Sequence, residues 1–157
     1  AVDWGPLDYL ILDLPPGTGD AQLTVTQKVP LAGAVIVSTP QDLALIDARK
    51  GLAMFRKVNV PVLGIVENMS SFCCPNCGHV TDVFKKGGGK RTAERLDTAF
   101  LGAIPLDPEI VEGGDRGVPI VVARPDGPHA ASFRQVAAAV VSEVERTSEL
   151  RPKLSIV

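Results

Sequence analysis

Apolar residues fall into short runs separated by longer amphipathic stretches. Tyr9-Leu10-Ile11-Leu12-Asp13 is apolar on both faces and leads into a turn-rich segment, which predicts a buried strand. Gly33–Ser38, Val62–Val66 and Phe100–Ile104 read the same way, and Ile120-Val121-Val122 predicts a short fifth strand. Strands without a polar face belong in a parallel sheet covered by helices on both sides.

Between these runs the period changes to that of a helix. Residues 42–58 put Leu45, Ala48, Leu52 and Phe55 on one face, with Asp42 as the expected cap and Asn59 and Pro61 as the stop. Gly89 to Asp97 predicts a shorter helix. Phe133, Val136, Ala137, Val140, Val141 and Val144 make the apolar stripe of the last one. The alternation predicts an α/β fold, a doubly wound and mostly parallel sheet. No repeat or linker divides the chain, so residues 1–146 read as one domain and 147–157 as a flexible tail.

Composition narrows the function classes. In 157 residues, 45% hydrophobic and 22% charged, there is enough apolar material for one core, which excludes a disordered or disulfide-knot protein. A net charge of −2 and only seven aromatic residues (five Phe, one Trp, one Tyr) argue against a nucleic-acid partner. No apolar run is long enough to cross a bilayer, and no segment has the shape of a signal peptide. The expectation is a cytoplasmic protein with no membrane partner.

In open parallel sheets ligands gather at the carboxyl ends of strands. Three such ends carry candidate chemistry. Asp13-Leu14-Pro15-Pro16-Gly17-Thr18-Gly19-Asp20 offers a carboxylate suited to hydrated Mg²⁺ and a glycine that lets backbone approach a phosphate; a plain Pro-Pro-Gly turn explains it equally well. In Glu67-Asn68-Met69-Ser70, Asn68 offers an acceptor and two donors for a base edge, although a lone Asn after a strand is more often a turn residue. Ile104-Pro105-Leu106-Asp107-Pro108 fits a ligand loop or an ordinary helix start. Lys85-Lys86-Gly87-Gly88-Gly89-Lys90 is Gly-rich but is no phosphate-binding loop, since Lys90 is followed by Arg91 rather than Ser or Thr. It reads as a loop entering a helix.

All three cysteines lie in Cys73-Cys74-Pro75-Asn76-Cys77-Gly78. The two-residue gap between Cys74 and Cys77 lets both sulfurs face one metal, and Gly78 frees backbone amides to bond them. A four-sulfur site needs four thiolates, and there is no second such pair. Either Cys73 and His79 complete the site locally or a second subunit repeats the pair across a two-fold axis. Zn²⁺ and an iron–sulfur cluster both remain open on ligand count, and a redox pair is the further alternative.

Taken in order, the Asp13–Asp20 motif, Ser38-Thr39-Pro40-Gln41, Glu67-Asn68-Met69-Ser70, the Cys-Pro-Asn-Cys-Gly loop, Gly87-Gly88-Gly89-Lys90 and Ile104–Pro108 resemble the Mrp/ApbC family, P-loop ATPases related to MinD and ParA that carry iron–sulfur clusters. The resemblance runs from Trp4 to about Val144. It implies that Asp13 is the Mg²⁺-linked Walker B aspartate and that Gly17 sits near the terminal phosphate of ATP. It further implies that Asn68 contacts adenine, with Pro105 and Asp107 bordering the base. Cys74 and Cys77 would hold a 4Fe–4S cluster shared across a homodimer, for delivery to apo iron–sulfur proteins. Cys73 has no counterpart in the family pattern, and His79 is expected to face solvent.

The chain departs from that pattern at its start. It contains no Gly-rich Walker A loop, which in the family precedes the Walker B strand, so it reads as the C-terminal part of such an ATPase with an apolar sheet edge left exposed. ATP hydrolysis is therefore expected of a full-length parent and not of these residues alone. The rival readings are a MinD/ParA-like partitioning ATPase and a non-enzymatic zinc-knuckle interaction module.

Overall fold

A computed structural model describes residues 2–17 and 19–149. The elements run α1 (Asp20–Lys28), β1 (Ala34–Ser38), α2 (Asp42–Lys57), β2 (Val62–Cys73), β3 (Val80–Thr81), α3 (Gly88–Arg95), β4 (Phe100–Leu106), α4 (Pro108–Asp115), α5 (Ile120–Ala123) and α6 (Pro128–Glu149).

Strand β2 is central. It pairs in parallel with β1 from Ala34↔Val62 to Ser38↔Glu67, and in parallel with β4 from Ile65↔Phe100 to Phe72↔Leu106. Beyond Glu67, where β1 ends, the two residues of β3 pair antiparallel with Phe72 and Cys73. Because Phe72 already faces Leu106, β3 takes up the edge that β1 leaves. These ladders carry β2 well past Val66, so Glu67, Asn68 and Ser70 lie within the strand rather than after it.

Alternation along β2 builds a core on each face. Ile65, fully buried, joins Ile36 and the α2 residues Ala48, Leu52 and Phe55, with Ala93 of α3 closing the cluster. Val66 points the other way and packs with Leu101 and Ile104 under Phe133, Val136 and Val140 of α6. The expected doubly wound, mostly parallel arrangement is present. Helix α2 ends as its sequence suggests: Asn59 is left-handed (φ +59°), and the amide of Val60 returns to the carbonyl of Phe55.

Several local expectations are corrected. Tyr9–Asp13 is not a strand: among the described residues it joins no ladder, and Ile11 is 79% exposed. An apolar run becomes a strand only when a neighbour takes its amides; the residue after this stretch, Leu14, packs on the core. Ile120–Val122 belongs to the helical turn α5, not to a strand. Pro119, with φ already at −57°, opens the turn and accepts from the amides of Val122 and Ala123. Asp42 is the first helical residue and not the cap; Gln41 holds that position without a side-chain bond. Helix α1 was not foreseen. Helix α6 extends through Glu149, into the segment read as tail, and residues 150–157 lie outside the described residues.

Candidate functional site

The cysteines sit where β2 runs out. The Cys74 amide donates to the His79 carbonyl (2.9 Å) and the Gly78 amide donates to the Cys74 carbonyl (2.8 Å), closing a tight loop between β2 and β3. The reversal needs a left-handed residue at Gly78 (φ +69°), which explains the glycine. Backbone amides of Cys77 and then Asn76 bond the Cys74 sulfur, and with the Cys77 side chain they hold its thiol below the ordinary value. All three cysteines are free, and the Cys73 thiol lies 3.6 Å from the Gly78 carbonyl. His79 is exposed, as expected. Among the described residues no group of three or more His, Cys, Asp and Glu side chains gathers as a metal site. One chain therefore presents a pair of sulfurs on a preformed loop, not a complete ligand set.

Six residues back along β2 lies Glu67, a residue the sequence reading quoted without assigning it a role. It is 1% exposed, and its two oxygens accept from the amides of Gly87 (2.9 Å) and Gly89 (2.7 Å) at the start of α3. The carboxylate thus supplies the negative charge that a helix N-terminus favours. A Cβ on Gly88 would lie 2.7 Å from the Pro40 carbonyl oxygen, so the glycine run seats α3 against the β1–α2 loop. The run is a packing device, consistent with its reading as a loop entering a helix. A lone Glu at the end of an apolar strand, with a downstream glycine triplet, was the available signal.

Asn68 lies within β2 on the ladder with β4, and Asp107 follows the last residue of β4. Asn68 faces Ile104, the residue before Pro105, and the buried hydroxyl of Ser70 donates to the Ile104 carbonyl (3.2 Å). The Asn68 carbonyl oxygen accepts from the Met69 amide (3.0 Å), which leaves its NH₂ group without a protein partner among the described residues. Asp107 caps α4 by accepting from the Glu109 amide (2.8 Å), and its other oxygen lies 3.1 Å from His129 Nε2. A cavity of about 300 Å³ borders this pair, and Pro75 of the cysteine loop forms part of its wall. Asp13 and Gly17 lie in the segment that precedes α1. Gln22 of α1 donates to the carbonyls of Pro15 (2.6 Å) and Gly17 (3.2 Å), tying the turn to the helix, and Gly17 is left-handed (φ +98°). The Asp13 carboxylate is exposed and has no protein partner among the described residues; Thr18 lies outside them.

A family model described as ParA, the NUBPL iron-transfer P-loop NTPase, matches residues 1–141. The chain belongs to this family. Within it, the chain is 53% identical over 148 residues to the iron–sulfur cluster transfer protein NUBPL of Mus musculus, covering 94% of this chain and 46% of that protein. It is 52% identical over 149 residues to the iron–sulfur cluster carrier protein of Escherichia coli K12, covering 95% of this chain and 40% of the relative. A solved nucleotide-binding protein of Archaeoglobus fulgidus, in complex with ADP, superposes with a TM-score of 0.65 at 48% identity, over 73% of this chain and 47% of that one. The cell-division ATPase MinD of Pyrococcus furiosus shares the fold, with a TM-score of 0.59 at 22% identity, over 78% of this chain and 46% of its own. The family resemblance read from the motifs and the MinD-like P-loop NTPase fold are both borne out. The chain spans less than half the length of these curated relatives.

Proposed function

We propose that this chain carries an iron–sulfur cluster between proteins, with the thiolates of Cys74 and Cys77 as its grip. The observation that carries this reading is a preformed loop presenting two sulfurs on a chain that gathers no third ligand among its described residues. A 4Fe–4S cluster takes four thiolates, and two copies related by a two-fold axis supply them. The cluster is cargo. An exposed loop at the end of a strand suits a group that is handed to apo iron–sulfur proteins rather than kept. Three free thiols support work in a reducing compartment, the cytoplasm in this reading, with neither nucleic acid nor membrane as partner.

Asp13, Gly17, Asn68, Pro105 and Asp107 would supply part of a nucleotide site. The exposed, unpartnered carboxylate of Asp13 suits a Mg²⁺ ion that keeps most of its waters, and Gly17 leaves room for a terminal phosphate. The free NH₂ group of Asn68 can donate to adenine, with Pro105 and Asp107 beside the base. Turnover of ATP also needs a backbone cradle and lysine on the β- and γ-phosphates, which no Gly-Lys-Ser/Thr motif in these 157 residues provides. Hydrolysis belongs to a protein in which such a loop is joined to them.

Anaerobic reconstitution tests the carrier reading. The expected result is about four irons per dimer, a broad thiolate-to-iron absorption and a monomer-to-dimer shift on gel filtration. Cys74→Ser and Cys77→Ser should each abolish all three, and Cys73→Ser should leave them nearly intact. A colourless zinc protein would establish the knuckle-module reading instead. A monomer with full iron, or a Cys73→Ser variant as damaged as Cys77→Ser, would overturn the bridged pair.

A further inference from the structure

Charge is distributed unequally between the two faces of the sheet. Helix α2 and residues 85–97 hold nine of the sixteen lysine and arginine residues but four of the eighteen acidic ones. On the opposite side, residues 107–146 hold seven acidic and four basic residues. The chain's net charge of −2 conceals two faces of opposite sign. Lys50, Lys86, Lys90, Arg91 and Arg95 are all exposed, and of these Lys86, Lys90, Arg91 and Arg95 make no ion pair among the described residues.

The basic face also has an apolar centre. Leu43 is 75% and Ile46 41% exposed on α2, three residues apart and on the same side of the helix as Lys50. Lys85 reaches Asp42 at 3.9 Å, which brings the loop before α3 alongside the first turn of α2.

We propose that the α2–α3 face is the docking surface for an acidic protein partner that covers Leu43 and Ile46 with apolar side chains of its own. Within the carrier reading this partner is a recipient of the cluster, but the surface and its test do not depend on that reading. Complementary charge brings the partner in quickly and lets it leave, as a carrier requires. Duplex DNA fits less well, because Asp42 and Asp47 stand on the same face and two exposed aliphatic side chains would lie against phosphates. A lipid surface fits less well too, because the apolar stripe of α2 (Leu45, Ala48, Leu52 and Phe55) is spent on the core and cannot insert.

The test uses the full chain without cluster and four fluorescent probes: poly-L-glutamate, a random glutamate–tyrosine copolymer, a DNA duplex and phosphatidylserine vesicles. Both acidic polypeptides should bind, the copolymer more tightly, with affinity falling steeply as salt is added. Reversing charge with Lys50→Glu, Lys86→Glu and Lys90→Glu together should weaken poly-L-glutamate binding by about tenfold or more. Reversing Arg116→Glu and Arg134→Glu on the other face should have less than about a twofold effect. Leu43→Ser should remove the advantage of the copolymer. Circular dichroism and thermal melts check that each variant folds. The proposal fails if neither polypeptide binds, if reversal on either face is equally damaging, or if DNA or vesicles bind more tightly than the copolymer. None of these outcomes touches cluster binding by Cys74 and Cys77, which is measured separately.

Discussion

The amide of Gly89 donates to Oε2 of Glu67 at 2.7 Å, and a Cβ on that glycine would stand 3.0 Å from the Cβ of Glu67. The pair joins the central strand to the start of α3. It does so just where β2 passes from the hydrophobic core to the polar extension that carries Asn68 and the cysteines. A buried carboxylate bonded by two amides is stable as a unit and costly to break.

Glu67→Gln is expected to destabilise the chain by about 2 kcal/mol, because an NH₂ group then meets one of two amide donors and leaves it unsatisfied. A urea titration checks this: the midpoint should fall while the slope is unchanged. A midpoint equal to that of the wild type would mean that the amides find other partners.

Gly88 and Gly114 should respond in opposite directions to alanine. Both lie in helices, where Gly→Ala ordinarily gains up to about 1 kcal/mol. At Gly88 the new Cβ would sit 2.7 Å from the Pro40 carbonyl oxygen, so backbone must move and stability should drop. At Gly114 nothing lies within 4 Å, and the ordinary gain should appear. Thermal melts of the two variants read the sign directly.

Asp107 combines a helix cap with an imidazole contact. Asp107→Ala is expected to cost about 1 kcal/mol or more, since the Glu109 amide loses its acceptor. Asp107→Asn keeps that acceptor and should cost only a few tenths. Equal losses in the two variants would show that the charge facing His129, rather than the cap, is what matters.

The thiol of Cys74 should ionise below the ordinary cysteine range. In a chain carrying Cys73→Ser and Cys77→Ser, the iodoacetamide reaction of Cys74 should therefore reach half its maximal rate at a pH below that of a free cysteine. The backbone amides of residues 76 and 77 survive those substitutions. Gly78→Val, which opposes the left-handed turn at φ +69°, should release the amides and raise the midpoint. A midpoint unmoved by Gly78→Val would show that the loop does not set it.

Much of the architecture was legible because periodicity reports burial. The stripe Leu45, Ala48, Leu52 and Phe55 faces the core as its spacing requires, and Ile65 and Val66 divide between the two faces as a strand must. The cysteine pair was legible as well, because a two-residue gap and a following glycine describe a loop whose contacts are all local. Tyr9–Asp13 and Ile120–Val122 misled for one shared reason. A short apolar run is compatible with a buried strand, but only a neighbouring strand can accept its hydrogen bonds, and neither run joins a ladder among the described residues.

Sequence by itself determined the alternation of elements, the two-sided core, the family motifs and the two-sulfur loop, since each rests on residues within a few positions of one another. Tertiary structure alone decided the length of β2, the union of Glu67 with Gly87 and Gly89, the meeting of Asn68 with Ile104 beside Pro105, and the contrast in charge between the faces. Those depend on ladders and contacts between residues twenty or more positions apart. Such pairings form only when the whole sheet sets their register, and no local pattern records them.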